Sequence, residues 1–409
     1  MNQNNTDLKK QIIIFFAAAF FFAIGGSVYE TIFSNFLNDV CKISDTGRGW
    51  LELPRELPGL AVVFMTGLLA AISMNRLGVL SILIYIAGVL GLMFVEPVYG
   101  IIVFLMMVVS TGQHLIMPIQ STIALSLGQE HNRGRRVSQT RLVQSMGNIV
   151  GAGFVAVYFA KNPIDHTNAI TKDFHPAFIF SIIAAFVGAI FYFKLHIPEL
   201  KKKRAKPILR KKYSLYYCLE FLFGARKQIF LTFGPWVLIR HFERNVSEIA
   251  SLYLIASIIG FITKPIIGYS IDKLGEKKVL ITDAILLIVV CLGYGYSEQI
   301  AVNFGYAKYG YVIASACYVL DHLLFDFGAA RNTYLSKIIH SRDELSGTLA
   351  TGVSVNHVAS MALPPIAGFI WATLGFTNLF TIAAFLALFI VFAATKIPNK
   401  AKLDELAKA

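Results

Sequence analysis

Residues 268–278 read "GYSIDKLGEKK". This short polar segment separates two apolar runs, 247–271 and 278–297. At about 1.5 Å of helical rise per residue, runs of this length cross a hydrocarbon layer ~30 Å thick. Gly268 permits two helix ends to approach closely, and Gly275 permits a tight turn. Asp272 is suited to cap a neighbouring helix N-terminus and to pair with basic residues on an adjacent helix end. Lys273, Lys277 and Lys278 put positive charge on one side of the layer.

Outward from this segment the same apolar length recurs. Approximate spans fall at 11–34, 49–73, 79–95, 99–127, 137–160 and 176–195. Six more fall at 213–240, 247–271, 278–297, 308–336, 346–371 and 375–396. The chain of 409 residues is 56% hydrophobic with 33 Phe, and only 15% of it is charged. A soluble chain carries about a quarter charged residues. The short alternating segments of a transmembrane β-barrel are not visible. The expected fold class is therefore an all-α polytopic membrane protein with twelve transmembrane helices.

The net charge of +13 raises the question of nucleic acid. Its placement answers against it. Lys201, Lys202, Lys203, Arg204, Lys206, Arg210, Lys211 and Lys212 share one central linker, and most of the other basic residues lie in alternate short loops. That alternation puts both termini in the cytoplasm; the expected location is the cell (plasma) membrane, a cell inner membrane. Anionic lipid, not nucleic acid, is the partner it implies. Cys41, Cys218, Cys291 and Cys317 have no CxxC or zinc-type spacing, so neither a metal nor another cofactor is expected. The apolar run after "MNQNNTDLKK" has no small-residue cleavage site and reads as a first spanning helix.

Six spans, a basic linker and six more spans suggest a duplication. The expected domains are an N-terminal bundle at 1–195, the linker at 196–212 and a C-terminal bundle at 213–409. "SMNRLGVL" (73–80) matches "SIDKLGEKKVL" (270–280), a register that sets Glu30 opposite Lys227. A second register pairs "QHL" (113–115) with "DHL" (321–323), and hence His114 with His322, Ser138 with Ser346 and Asn148 with Asn356.

The loop carries a specific resemblance. Gly268, Asp272, Lys273, Gly275, Lys277 and Lys278 match the signature G-x-x-x-D-[RK]-x-G-x-[RK]-[RK] of the major facilitator superfamily, between the eighth and ninth spans. The N-terminal copy departs from it, with Ala71 for the first Gly, Asn75 for the Asp and no trailing basic pair. "RGRRVSQ" (133–139), containing Arg135, is similar to the superfamily's Arg-rich entry to the fifth span. The resemblance implies two pseudo-symmetric six-helix bundles, alternating access and a midplane site lined by the first and seventh spans. It gives Gly268, Asp272, Lys273, Gly275 and Arg135 a gating role.

Charges inside the spans point to the site, because an ionisable group at membrane depth needs a partner or a cavity. By residue count His114, His322, Asn148, Asn356, Arg226 and Lys227 fall near the midplane. Glu30 lies toward the outside and Glu220 toward the inside. Consecutive Arg226 and Lys227 cannot both face lipid. Arg226 is either an anchor for a carboxylate or phosphate or a structural partner of Asp321, Asp326 or Glu220. In "LPRELPGL" (53–60) Arg55 is placed to pair with Glu52 at i,i+3.

The run "CYVLDHLLFDFGAARNTYLSKII" (317–339) adds Asp321, His322 and Asp326. As a continuous helix it sets His322 and Asp326 on one face. A carboxylate beside an imidazole suits proton coupling; the rival role is a static network that neutralises Arg226 and Lys227. Glu30, His114, Asn148, Arg226, Lys227 and Asn356 are the candidate substrate contacts. His114, His322, Asp321 and Asp326 form no HxxxH pair or Met cluster, so no metal site is expected.

No Walker-type loop is present, so a gradient supplies the energy. The fifth span lacks the G-P-x-x-G-G ending of the superfamily's drug/proton antiporters. The expected function is secondary transport, as symport or antiport, of a small polar organic solute, anionic or zwitterionic, with protons as coupling ion. The alternative is a proton-driven drug or amphiphile exporter. Neither reading makes the protein an enzyme, and a monomer is expected.

Overall fold

The computed structural model describes residues 3–65, 72–128, 133–197, 208–339 and 341–408. Lys201, Lys202, Lys203, Arg204 and Lys206 of the linker, and Ala71, lie outside them. The described residues form helices and turns without strands. The long helices are α1 (Gln3–Asp39), α2 (Asp45–Met65), α3 (Met74–Phe94), α4 (Tyr99–Ser126), α5 (Arg133–Lys161), α6 (His175–Phe193), α7 (Ser214–Arg240), α8 (Val246–Leu274) and α9 (Glu276–Gly295). After the short α10 (Ser297–Asn303) follow α11 (Gly310–Leu324), α12 (Ala329–Ile338), α13 (Arg342–Thr395) and α14 (Lys400–Lys408).

Nine stretches among the described residues are long and apolar enough to cross a membrane, by length and composition. One, Glu344–Thr395, holds two expected crossings, joined at Gly375, whose φ of 83° breaks the helix. With α2 and α7, whose charged residues lower their hydropathy, the expected twelve are accounted for.

The chain sorts into two compact units. The first comprises Met1–Ile43, Leu57–Arg204 and Arg244–Ser257. In it α1 packs on α5 and α6, and α3 packs on α4 and α6. Backbones come close where side chains vanish: a Cβ at Gly147 would lie 2.6 Å from the Phe20 carbonyl oxygen, and one at Gly151 would lie 2.7 Å from that of Ile24. The Tyr85 hydroxyl, fully buried, donates to the Gly25 carbonyl at 2.9 Å and so fastens α3 to α1.

The second unit comprises Ser44–Glu56, Ala205–Glu243 and Ile258–Ala409. There α13 packs on α7 and α9, and α11 packs on α9. A Cβ at Gly224 would fall 2.5 Å from the Asn356 carbonyl oxygen, so the absence of a side chain sets the approach of α7 to α13. Tyr213, Tyr216, Leu335, Ile397 and Leu403 close one end of the unit as an apolar cluster.

Two expectations are corrected. Residues 317–339 are not one α-helix: α11 ends at Leu324, Phe325–Gly328 is a 3-10 turn, and α12 follows. With three residues per turn there, His322 and Asp326 lose the shared face that an unbroken helix gives. The close approach expected at Gly268 is also not made, since a Cβ there meets nothing within 4 Å. The packed stripe of α8 runs through Ile267 and Ile271, and Gly268 is exposed beside it.

Gly275 does make the expected turn. Its φ of 84° and ψ of 159° suit glycine, and it caps the N-terminus of α9. Lys400 of α14 reaches the end of α8, with Nζ 2.6 Å from the Asp272 carbonyl oxygen and 3.5 Å from that of Lys273. A cation on the last carbonyls of a helix is favourable. The side chains of Asp272 and Lys273 are exposed, as is Arg135 at the start of α5.

Candidate functional site

α7 carries the charges. Its sequence is apolar enough to bury, yet Glu220, Arg226, Gln228 and Thr232 are all buried in it. Successive residues point about 100° apart, so Arg226 and Lys227 meet different neighbours. Arg226 Nη2 lies 3.2 Å from Asp321 Oδ1 of α11, with exposures of 2% and 0%. The Arg226 guanidinium also lies 4.8 Å from the centre of the Phe325 ring. None of its three nitrogens makes a hydrogen bond among the described residues. The pair is electrostatic contact with unspent donors.

Lys227 turns instead to α13, its Nζ 3.4 Å from Asn356 Oδ1. Asn356 Nδ2 in turn lies 3.4 Å from Glu220 Oε2. Glu220 Oε1 accepts from Arg331 Nε of α12 at 2.9 Å. Asp283 of α9, only 5% exposed, sits within electrostatic reach of Arg226 and Arg331. α7, α11 and α12 therefore hold two buried ion pairs, Arg226–Asp321 and Arg331–Glu220, with Asp283 of α9 in electrostatic reach of both arginines.

The start of α2 adds a second network in the same unit. Glu52, wholly buried, accepts from Arg48 Nη1, from Arg55 Nε at 2.7 Å and from Gln228 Nε2 at 2.7 Å. The Arg55–Glu52 pair is the one its i,i+3 spacing foretells. His357 Nδ1 lies 2.9 Å from Glu56 Oε2.

In the first unit Glu30 Oε1 accepts from Gln113 Nε2 at 3.1 Å. His114 Nδ1 lies 2.9 Å from the Ser110 carbonyl oxygen one turn earlier. His322 repeats that arrangement in its own unit, with Nδ1 3.1 Å from the Tyr318 carbonyl oxygen. Asn148 is exposed, and its carbonyl accepts from Ser27 Oγ at 2.9 Å. Asp326 Oδ2 lies 3.8 Å from where a Gly260 Cβ would stand.

Sequence reasoning missed Asp283, His357 and Gln228. Asp283 lies five residues past the basic loop, where it passes as part of a helix end. His357 was overshadowed by its neighbour Asn356, which the repeat selects. A count of ionisable groups in every span finds both residues.

A helical cluster of buried ion pairs, flanked by the loop of residues 268–278, invites comparison with known transporters. The model of the Major Facilitator Superfamily matches residues 12–340. The chain belongs to that superfamily. It is thus a multi-pass membrane protein of the superfamily's all-helical fold and a secondary transporter by family. Solved structures agree on the fold. The nucleoside transporter NupG superposes with a TM-score of 0.74 at 14% identity, over 95% of this chain and 98% of NupG. A D-xylose–proton symporter superposes with a TM-score of 0.76 at 13% identity, over 96% and 98% of the two chains. A POT family transporter in complex with 5-aminolevulinic acid gives 0.75 at 11%, over 94% and 95%. No curated protein sequence matches significantly.

Proposed function

We propose that this superfamily member moves a small polar organic solute, anionic or zwitterionic, across the cell membrane, driven by protons. The observation that carries this reading is Arg226: a guanidinium 2% exposed, beside Asp321, with its N–H donors unspent. Buried donors of this kind are costly unless a ligand or water takes them. Carboxylate and phosphate oxygens match the guanidinium fork. Lys227 and Asn356 are further solute contacts of the second unit. Glu30, His114 and Asn148 are those of the first.

Protons couple at Asp321, with His322 and Asp326 beside it in sequence. Support comes from the depth of Asp321 in the fold and from its contact with the same arginine that binds the solute. A proton on Asp321 frees Arg226 for the solute, which ties the two events together. The two halves 1–195 and 213–409 are the two bundles, with both termini in the cytoplasm. Gly275, Asp272, Lys273, Gly268 and Arg135 belong to the gate, and the chain acts as a monomer.

The test is uptake of a metabolite panel into proteoliposomes, with and without an imposed pH gradient. Accumulation of an organic anion or zwitterion under the gradient, lost in Arg226→Ala, is the expected result. Movement of hydrophobic cations alone overturns the reading in favour of an exporter.

A further inference from the structure

Arg331, in the first turn of α12, is held by three neighbours. Its Nε donates to Glu220 Oε1 of α7 at 2.9 Å. Its guanidinium carbon lies 3.5 Å from the centre of the Phe223 ring, also of α7. The Nη1 and Nη2 end sits against Gly328, the last residue of the 3-10 turn, where a Cβ would stand 3.0 Å from each nitrogen. Glu220 is itself tied down. Its second oxygen accepts from Asn356 Nδ2 of α13 at 3.4 Å, and Asn356 Oδ1 accepts from Lys227 Nζ at 3.4 Å. The row Arg331, Glu220, Asn356, Lys227 thus joins α12, α7 and α13 with a cation at each end.

A guanidinium has five N–H donors, and Glu220 uses the one on Nε. Nη1 and Nη2 make no hydrogen bond among the described residues. They differ from the nitrogens of Arg226, all three of which are enclosed without a partner. The Nη groups of Arg331 keep contact with solvent, and the side chain is 8% exposed. Arg226 lies 6.0 Å from the centre of the same Phe223 ring, so both guanidinium groups neighbour one aromatic side chain.

The geometry separates two roles. An arginine that only neutralised Glu220 would meet both carboxylate oxygens with two parallel N–H groups. Here Nε makes a single bond, the second oxygen goes to Asn356, and the Nη edge is left over. That edge is planar, charged and fixed in direction by its three neighbours, which is the arrangement that binds a pair of oxyanion oxygens.

We infer that Arg331 is an oxyanion-binding residue of the transport path, its Nη1 and Nη2 edge taking a carboxylate or phosphate group of the solute, with Phe223, Glu220 and Gly328 as positioning residues. In this conformation it is the arginine that an anion reaches, while Arg226 is enclosed. That the bound anion is cargo rests on the function proposed above; the open fork does not.

Phenylglyoxal, which adds to the Nη nitrogens of a reachable arginine, tests the fork in the purified full-length protein in lipid. Peptide mass mapping should find Arg331 modified faster than Arg226. Inorganic phosphate, succinate and glycine betaine, each added alone, should include at least one that slows the labelling of Arg331 several-fold, and the member that does so tells phosphate from carboxylate. An unreactive Arg331, a faster reaction at Arg226, or labelling that no member slows overturns the proposal.

Uptake then separates binding from stability. Glu220→Leu with Arg331→Met removes the buried pair without stranding a charge, and Arg331→Lys keeps the charge without the fork. Each should lower uptake of an organic anion about tenfold or more, the effect of losing one charge-assisted hydrogen bond. If the double variant does not fold, Arg331→Lys and the labelling still decide. Full uptake in Arg331→Lys overturns this proposal and, with Arg226→Ala inactive, leaves the proposed function standing. Loss in Arg331→Lys with Arg226→Ala fully active supports it and removes Arg226 as the anchor. Movement of hydrophobic cations alone overturns both the proposed function and the role of Arg331 in carrying cargo.

Discussion

Arg331 lies with its guanidinium 3.5 Å from the centre of the Phe223 ring while its Nε donates to Glu220 Oε1 at 2.9 Å. Both side chains are 8% exposed, so each relies on the other for its charge. Arg331→Met alone should destabilise the protein by about 3–5 kcal/mol, because it strands a buried carboxylate. Glu220→Leu combined with Arg331→Met should recover most of that loss, since an apolar pair of similar volume needs no partner. Thermal unfolding of the two singles and the double in detergent closes the cycle. Equal losses in double and single would remove the pair as the reason.

Outside the membrane the clearest titrating contact is His166 with Asp39, Nδ1 to Oδ2 at 3.0 Å. The hydrogen bond to Asp39 holds the imidazole above its usual value against the opposing effect of partial burial. Asp165 and Glu248 also favour the charged form, and Lys42 Nζ meets the His166 carbonyl. A raised folded value means that the stabilisation is complete below about pH 6.5, the unfolded value. It is lost as pH rises through the folded value. His166 is 35% exposed, which keeps the contribution at roughly 1 kcal/mol or less. His166→Gln should lower Tm at pH 5.5 and leave it nearly unchanged at pH 9; the opposite order would refute the pairing.

Glu52 gathers Arg48, Arg55 and Gln228 although its own side chain is wholly buried. Glu52→Ala leaves Arg48, 2% exposed, without its carboxylate and should cost about 3–5 kcal/mol. Gln228→Ala removes one bond to a charged acceptor and a longer one to Thr232 Oγ1 at 3.2 Å, and should cost about 1.5–3 kcal/mol. Unfolding midpoints of the two variants should therefore separate clearly. A Gln228 loss as large as that of Glu52 would mean that α7 packing, not the charge network, is being measured.

Much of the architecture was legible because lipid reads length and polarity crudely. Apolar runs such as 278–297 declare a crossing whatever their detailed packing, and the turn at Gly275 follows from a polar break that only glycine fits. The site was less legible because pairing is a tertiary matter. Nothing in "ITDAIL" (281–286) says that Asp283 lies within electrostatic reach of Arg226 and Arg331, and nothing local joins Gln228 to Glu52 across 176 positions. The 3-10 turn after Leu324 was invisible for a related reason. Phe325 lies near the Arg226 guanidinium and Arg331 folds over Phe223, both contacts with a different helix. Gly268 was misjudged because a glycine in a signature need not be packed; here the stripe through Ile267 and Ile271 does the packing.

Gly275 joins α8 to α9 in a backbone conformation that residues with a Cβ adopt only under strain of about 1–3 kcal/mol. A Cβ there would also stand 2.9 Å from Lys400 Cβ. Gly275→Ala should therefore destabilise the protein and push Lys400 off the carbonyls of Asp272 and Lys273. Lys400→Ala removes the same cap without the backbone strain, and a single favourable charge at a helix end contributes about 0.3–1 kcal/mol. Hydrogen exchange at α14 and at the end of α8 should rise in both variants, with the larger fall in Tm for Gly275→Ala. Unchanged exchange at α14 in Gly275→Ala would show that the loop and the C-terminal helix are mechanically independent, and the gating role proposed for this turn would then have to act through α8 and α9 alone.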